Sequence, residues 1–169
     1  MRLIVAFVLA CAVAPASAQT PAGLVGTWQL ASRVDRDSDG KAVEEPSLGM
    51  DPLGYLIYDS AGHVAVQLMA KHRGSDPCQV TAPSVANNLT QVSGYEAYFG
   101  HYEVDGTAGT VTHIIEGALS PSDVGRRLTR RFKLEEDTLT IQFEPGGQDD
   151  RRITRTIVWR RVTRSGRAA

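Results

Sequence analysis

The sequence predicts an all-β protein, an eight-stranded antiparallel up-and-down barrel or a two-sheet sandwich. Three observations lead there. Eight short runs alternate apolar and polar residues or are rich in β-branched and aromatic side chains. Turn residues punctuate them at even spacing, with little helical periodicity between. The first run opens on Gly26-Thr27-Trp28, and a tryptophan at the start of a first strand is well placed to plug one end of a closed barrel. Eight strands are about what a barrel needs to enclose side chains or one small ligand.

In chain order the predicted strands are 26–35, 53–59, 63–72, 97–105, 110–119, 127–135, 138–144 and 152–162. The junctions carry turn chemistry: Asp39-Gly40, Ser60-Ala61-Gly62, Asp105-Gly106, Glu136-Asp137 and Pro145-Gly146-Gly147. Two segments break the rhythm. Residues 73–96 are polar, and Ser84 is a candidate N-cap for a short helix or lid over 84–92. Residues 120–125, Ser-Pro-Ser-Asp-Val-Gly, read as a compact turn.

Period-2 alternation assigns faces. It places Trp28, Leu30, Ser32 and Val34 on one side of the first strand and Thr27, Gln29 and Arg33 on the other. Leu139, Ile141 and Phe143 share an inner face, as do Val111, His113 and Ile115. The anomaly is a polar set on apolar faces: Tyr102, His113, Arg130 and Arg155. A buried guanidinium needs a partner, because an unpaired buried charge costs several kcal/mol. The neighbouring acids Glu103, Glu116 and Glu135 fall on outward faces. Arg130 is therefore left to an internal Arg–His–Tyr network, to an acid turned inward by a bulge or loop, or to an anionic group from outside the chain.

Residues 1–18 read as a cleaved secretory signal: Arg2, an apolar run from Leu3 to Val13, and the small-residue site Ala16-Ser17-Ala18. The run is too short to span a bilayer, which takes roughly 20 residues. Residues 19–169 then form a single exported domain, periplasmic or extracellular, with no transmembrane segment. A formal net charge of −1 gives no general affinity for nucleic acid. Cys11 leaves with the signal, so Cys78 has no intramolecular partner and is expected to be a loop thiol.

Other motifs resolve to bland readings. Asp35-x-Asp37-x-Asp39-Gly40 matches the start of a calcium loop, but its twelfth position is Pro46 and a strand precedes it. A solvated turn is expected. His63, His72, His101 and His113 show no tight ligand spacing. His101 and His113 become cross-strand neighbours only if their strands form a hairpin, and they would still need Glu103 or Glu116 as third ligand. No metal or cofactor is expected. Asn88-Leu89-Thr90 matches a glycosylation acceptor, a pattern frequent by chance, and no nucleophile sits on an elbow motif.

In order along the chain, Leu24-Val25-Gly26-Thr27-Trp28-Gln29-Leu30, Pro52-Leu53-Gly54-Tyr55-Leu56-Ile57-Tyr58, Tyr98-Phe99-Gly100-His101-Tyr102, Val111-Thr112-His113 and Arg131-Phe132 with Leu139-Thr140-Ile141 resemble the bacterial and fungal lipocalin-like domain family. Gly26-Thr27-Trp28 is similar to the lipocalin Gly-x-Trp signature. The resemblance implies an eight-stranded lipocalin-type barrel, Trp28 at its closed end and Arg160 or Arg161 lying over that ring. It carries no catalytic set. The expected function is binding of a small apolar or amphipathic molecule, with Tyr55, Phe132, Ile141 and Phe143 lining the wall. Tyr102, His113 and Arg130 would meet a polar head. The alternatives are an isomerase or cyclase using His113, Tyr102 and Arg130, and a filled barrel serving as an envelope interaction module. The sequence does not set the oligomeric state.

Overall fold

The computed structural model describes residues 21–44, 47–72, 94–145 and 152–163. A single turn of helix, Pro21–Leu24, leads into nine strands: β1 (Gly26–Arg36), β2 (Ala42–Val43), β3 (Leu53–Tyr58), β4 (His63–Met69), β5 (Tyr95–Asp105), β6 (Thr110–Ala118), β7 (Arg127–Glu135), β8 (Thr138–Phe143) and β9 (Thr154–Arg161). Each pairs antiparallel with its sequence neighbour along β3 to β9, β1 pairs with β3, and β1–β9 pairing closes the sheet. The result is an eight-stranded antiparallel barrel with the short β2 added to the far end of β1. The expected strand runs are all present with small changes at their ends; β2 has no counterpart in the sequence reading. The 120–125 segment forms a 3₁₀ turn at Pro121–Asp123. The expected helix over 84–92, the expected signal over 1–18, Cys78 and Asn88 lie outside the described residues.

Short hairpins at 59–62, 106–109 and 136–137 gather at one end of the barrel, with Trp28 and the end of β9. Trp28 is fully buried there, and its indole Nε1 donates to Leu24 O at 2.8 Å. Arg161, not Arg160, lies over the ring at 4.1 Å. Its guanidinium donates to Val25 O and Gly23 O, both at 2.8 Å. Arg160 is exposed and donates to Thr138 Oγ1.

Two β-bulges decide what faces inward. In β1 the register shifts between Leu30 and Ser32, so Ala31 is the extra residue and every later side chain changes face. The expected inward set Ser32 and Val34 is thus replaced by Arg33 and Asp35, both buried. Asp35 then stands opposite Arg155 and accepts from Nε at 2.8 Å and Nη2 at 2.7 Å. That is the inward-turned acid the buried arginines required, but it serves Arg155. It also dissolves the calcium pattern: Asp35 is inside, while Asp37 Oδ1 accepts the backbone N–H groups of Asp39 and Lys41. The second bulge, between Phe99 and Gly100, leaves Glu116 as the extra residue of β6. Gly100 permits it, since a Cβ there would lie 2.0 Å from Ile114 O.

Candidate functional site: a cleft between β7 and β8 floored by Arg130

The β7–β8 ladder ends at Arg131 opposite Gln142. Before that point β7 continues toward its start with β6 alone, and β8 continues with β9 alone. The two strands therefore part, and the barrel wall opens between Leu128–Arg130 and Phe143–Pro145. A cleft of about 790 Å³ occupies the gap, reaching inward to Tyr98, Ile115 and Arg130. This is the size range of small-molecule sites.

Arg130 sits between this cleft and the barrel interior, lining both. Nη1 donates to Tyr98 Oη at 2.7 Å and to His113 Nδ1 at 2.8 Å. The guanidinium also lies 4.5 Å from the Phe143 ring centroid, a favourable cation–π distance. Its Nε is buried without an acceptor. Among the described residues no carboxylate pairs with Arg130. All its acceptors are neutral.

His113 is 1% exposed. Burial first, and then the Arg130 charge, hold its pKa well below the usual value of 6.5. The neutral ring's tautomer follows from its partners. Arg130 can only donate, so Nδ1 accepts, and the ring proton resides on Nε2 facing Tyr58 Oη at 2.6 Å. Tyr98 Oη lies 2.8 Å from the same Nδ1. Burial raises the pKa of Tyr58 well above 10.0 and raises that of Tyr98 also, so both stay phenols. The chain Arg130–Tyr98–His113–Tyr58 is a neutral relay ending in one permanent cation.

The interior beyond Arg130 is largely filled. Its cavity measures about 30 Å³, against Leu56, Val66, Ile141, Ile157 and Trp159. That is room for about two or three waters. Trp159 Nε1 is buried there without an acceptor.

The expected site residues divide accordingly. Arg130 and Phe143 line the cleft; His113 is directly behind Arg130; Phe132 and Ile141 are buried core. Tyr55 is on the outer wall, because Leu56 and Tyr58 take the inner face of β3. Tyr102 stands opposite His113 in the β5–β6 register, but its hydroxyl donates to Asp59 O at 2.9 Å near the closed end. Its ring packs on Tyr58 instead. The expected trio of Tyr102, His113 and Arg130 is thus replaced by Tyr58, Tyr98, His113 and Arg130. Tyr98 lies four residues before Tyr102 and so shares its face of β5, which was the signal available for it. Tyr58 shares the parity of Leu56.

A closed antiparallel barrel, plugged at one end by a tryptophan under an arginine, is a lipocalin-type architecture. The sequence model of the lipocalin-like domain matches residues 25–162, and the chain belongs to that family. No individual curated protein matches the chain significantly. Ligand binding is typical of the family. Among the described residues no helix is long and apolar enough to cross a membrane.

Proposed function

We propose that this protein is an exported carrier of a small anionic amphipathic molecule, held in the β7–β8 cleft. The observation that carries the reading is Arg130: a partly buried permanent charge at the base of an open cleft, with neutral acceptors only. A carboxylate or similar head would accept charge-assisted bonds there. The apolar part would lie along Leu128, Ile115 and Phe143. The small interior cavity argues for binding beside the barrel axis.

The test pairs fatty acids with alcohols of the same chain length in a fluorescence-displacement assay, alongside mass spectrometry of a solvent extract of the purified protein. Acids should bind at least tenfold tighter than their alcohols, and Arg130→Met should erase the difference. Binding of neither across a broad panel would sink the reading. Export rests on the leader at residues 1–18; N-terminal sequencing of the secreted form should begin near Gln19.

A filled barrel working through its outer wall is the second reading. Leu53, Tyr55, Ile57 and Phe99 are exposed on that wall, and Ile57, Ala65 and Phe99 align across β3, β4 and β5. Association that survives Arg130→Met but is lost on Phe99→Ser would favour it.

A further inference from the structure

The closed end of the barrel carries a second chemical feature on its outside. His63 of β4 and His101 of β5 are register partners, and their ring centroids lie 4.8 Å apart at 39°. Each imidazole is tied by the same atom to a carboxylate: His63 Nδ1 to Asp59 Oδ2 at 2.9 Å, and His101 Nδ1 to Glu116 Oε1 at 2.8 Å. Both rings remain about half exposed, at 54% and 47%.

We propose that His63 and His101 form a two-imidazole surface site for a divalent first-row transition ion, Cu²⁺ or Zn²⁺. A carboxylate only accepts, so in each neutral ring the proton is on Nδ1 and the lone pair is on Nε2. Neither Nε2 has a hydrogen-bond partner among the described residues. The tautomer is therefore set for metal ligation in both rings, and the carboxylate behind each ring is the outer shell that metal-binding histidines use to fix orientation and raise basicity.

That outer shell is built into the fold. Asp59 Oδ1 accepts the backbone N–H groups of Ala61 and His63 at 2.9 and 2.8 Å, which fixes the carboxylate at the hairpin. Those bonds from His63, backbone first and then side chain, hold the Asp59 pKa below its usual range. Glu116 is the extra residue of the β6 bulge and is brought beside His101 by it. Two isolated surface ion pairs would be worth little. Two facing imidazoles with both Nε2 lone pairs available do something different: they can share one divalent ion.

Among the described residues no three histidine, cysteine or acidic side chains converge on one point. The site is thus an open one, with water or an exogenous ligand completing the sphere. Imidazole suits zinc and copper, and copper binds tighter by the general order of divalent ions.

The test is calorimetric titration of the secreted chain, carrying Cys78→Ser to remove thiol competition, with CuCl₂ and separately ZnCl₂. One equivalent should bind, copper more tightly. His63→Ala and His101→Ala should each weaken it at least tenfold, and Asp59→Asn or Glu116→Gln about tenfold. His72→Ala, an exposed histidine elsewhere, should change nothing. The Cu²⁺ electron paramagnetic resonance signal should show two nitrogen couplings, falling to one in either histidine variant. Unchanged affinity and couplings in the His63→Ala, His101→Ala double variant would overturn the assignment, as would no binding of either ion. The His63, His101, Asp59 and Glu116 side chains are all about half exposed, so circular dichroism distinguishes loss of the site from loss of the fold.

Discussion

Arg130 Nη1 donates to His113 Nδ1 at 2.8 Å inside the barrel, so a group that never loses its charge holds a neutral imidazole next to it. This makes stability depend on pH in one direction. The folded His113 pKa lies well below 6.5, while in the unfolded chain it returns to about 6.5. As pH falls below that value the unfolded chain binds a proton that the folded chain refuses. The stabilisation is complete above pH 6.5 and is lost as pH falls, by up to about 1.4 kcal/mol per pH unit. Urea denaturation between pH 7.5 and 5.0 should show this slope, and His113→Gln should reduce it. NMR supplies a check independent of the variant's folding: the His113 ring of the native protein should titrate below the usual imidazole value of 6.5. An imidazole titrating near 6.5 would refute the arrangement.

Asp35 and Arg155 make the second buried polar contact, a two-bond pair in which Asp35 is 7% exposed. Removing one partner leaves a buried charge uncompensated, which costs about 3–5 kcal/mol. Asp35→Leu and Arg155→Met should each lower stability by that order. The double variant Asp35→Leu, Arg155→Met should recover much of the loss, since apolar replacements of similar volume are often neutral. Urea denaturation midpoints of the four proteins give the coupling. Additive losses would show that the pair is not energetically linked.

How far the sequence carried the fold is plain at Trp28. Its place ahead of an alternating strand pointed to a plugged end, the family resemblance supplied the arginine over it, and alternation alone put His113, Arg130 and Phe143 on inner faces. The parts it missed are non-local. Ala31 looks like any strand residue, so nothing local announced the bulge that turns Asp35 inward to Arg155. The His63–His101 pairing depends on which strands lie side by side and in what register. The cleft exists because one ladder stops at Gln142 while both strands run on, and no residue type encodes that. Tyr55 shows the smaller failure: Leu56 and Tyr58 had already fixed the parity of β3.

Gly100 provides a test of the β5–β6 bulge. An added Cβ would meet Ile114 O at 2.0 Å and the Glu116 backbone nitrogen at 2.9 Å. Backbone cannot yield as a flexible side chain can, so Gly100→Ala should force the strands apart. A loss of about 2–4 kcal/mol is expected, at the upper end of ordinary substitutions. The bulge also carries Glu116, so the same variant should weaken the His101–Glu116 contact. Gly40→Ala is the contrast, because no atom lies within 4 Å of the added carbon and only its positive φ of 79° is strained. Its cost should be about 1 kcal/mol. Equal effects at the two glycines would mean that close approach is not what Gly100 serves.

The plugged end rests on Arg161 more than on any other exposed-strand cation. Its guanidinium covers Trp28 at 4.1 Å and donates to two backbone carbonyls of the segment entering β1. Arg161→Ala removes a cation–π contact of about 1 kcal/mol and leaves two carbonyls, Val25 O and Gly23 O, without that donor. Charged hydrogen bonds contribute about 1.5–3 kcal/mol each before relaxation and water recover part of it. A net loss of about 2–4 kcal/mol is expected. Arg160→Ala removes only a surface bond to Thr138 and should stay within about 0.5 kcal/mol of the parent. Arg161→Lys should recover little, since an ammonium cannot lie flat on the indole and span both carbonyls. Guanidinium denaturation followed by tryptophan fluorescence, in a Trp159→Phe background that leaves Trp28 as the sole emitter, reads both stability and the Trp28 environment. If Arg160→Ala were the more damaging variant, the closure of the barrel would have to be assigned to the other arginine.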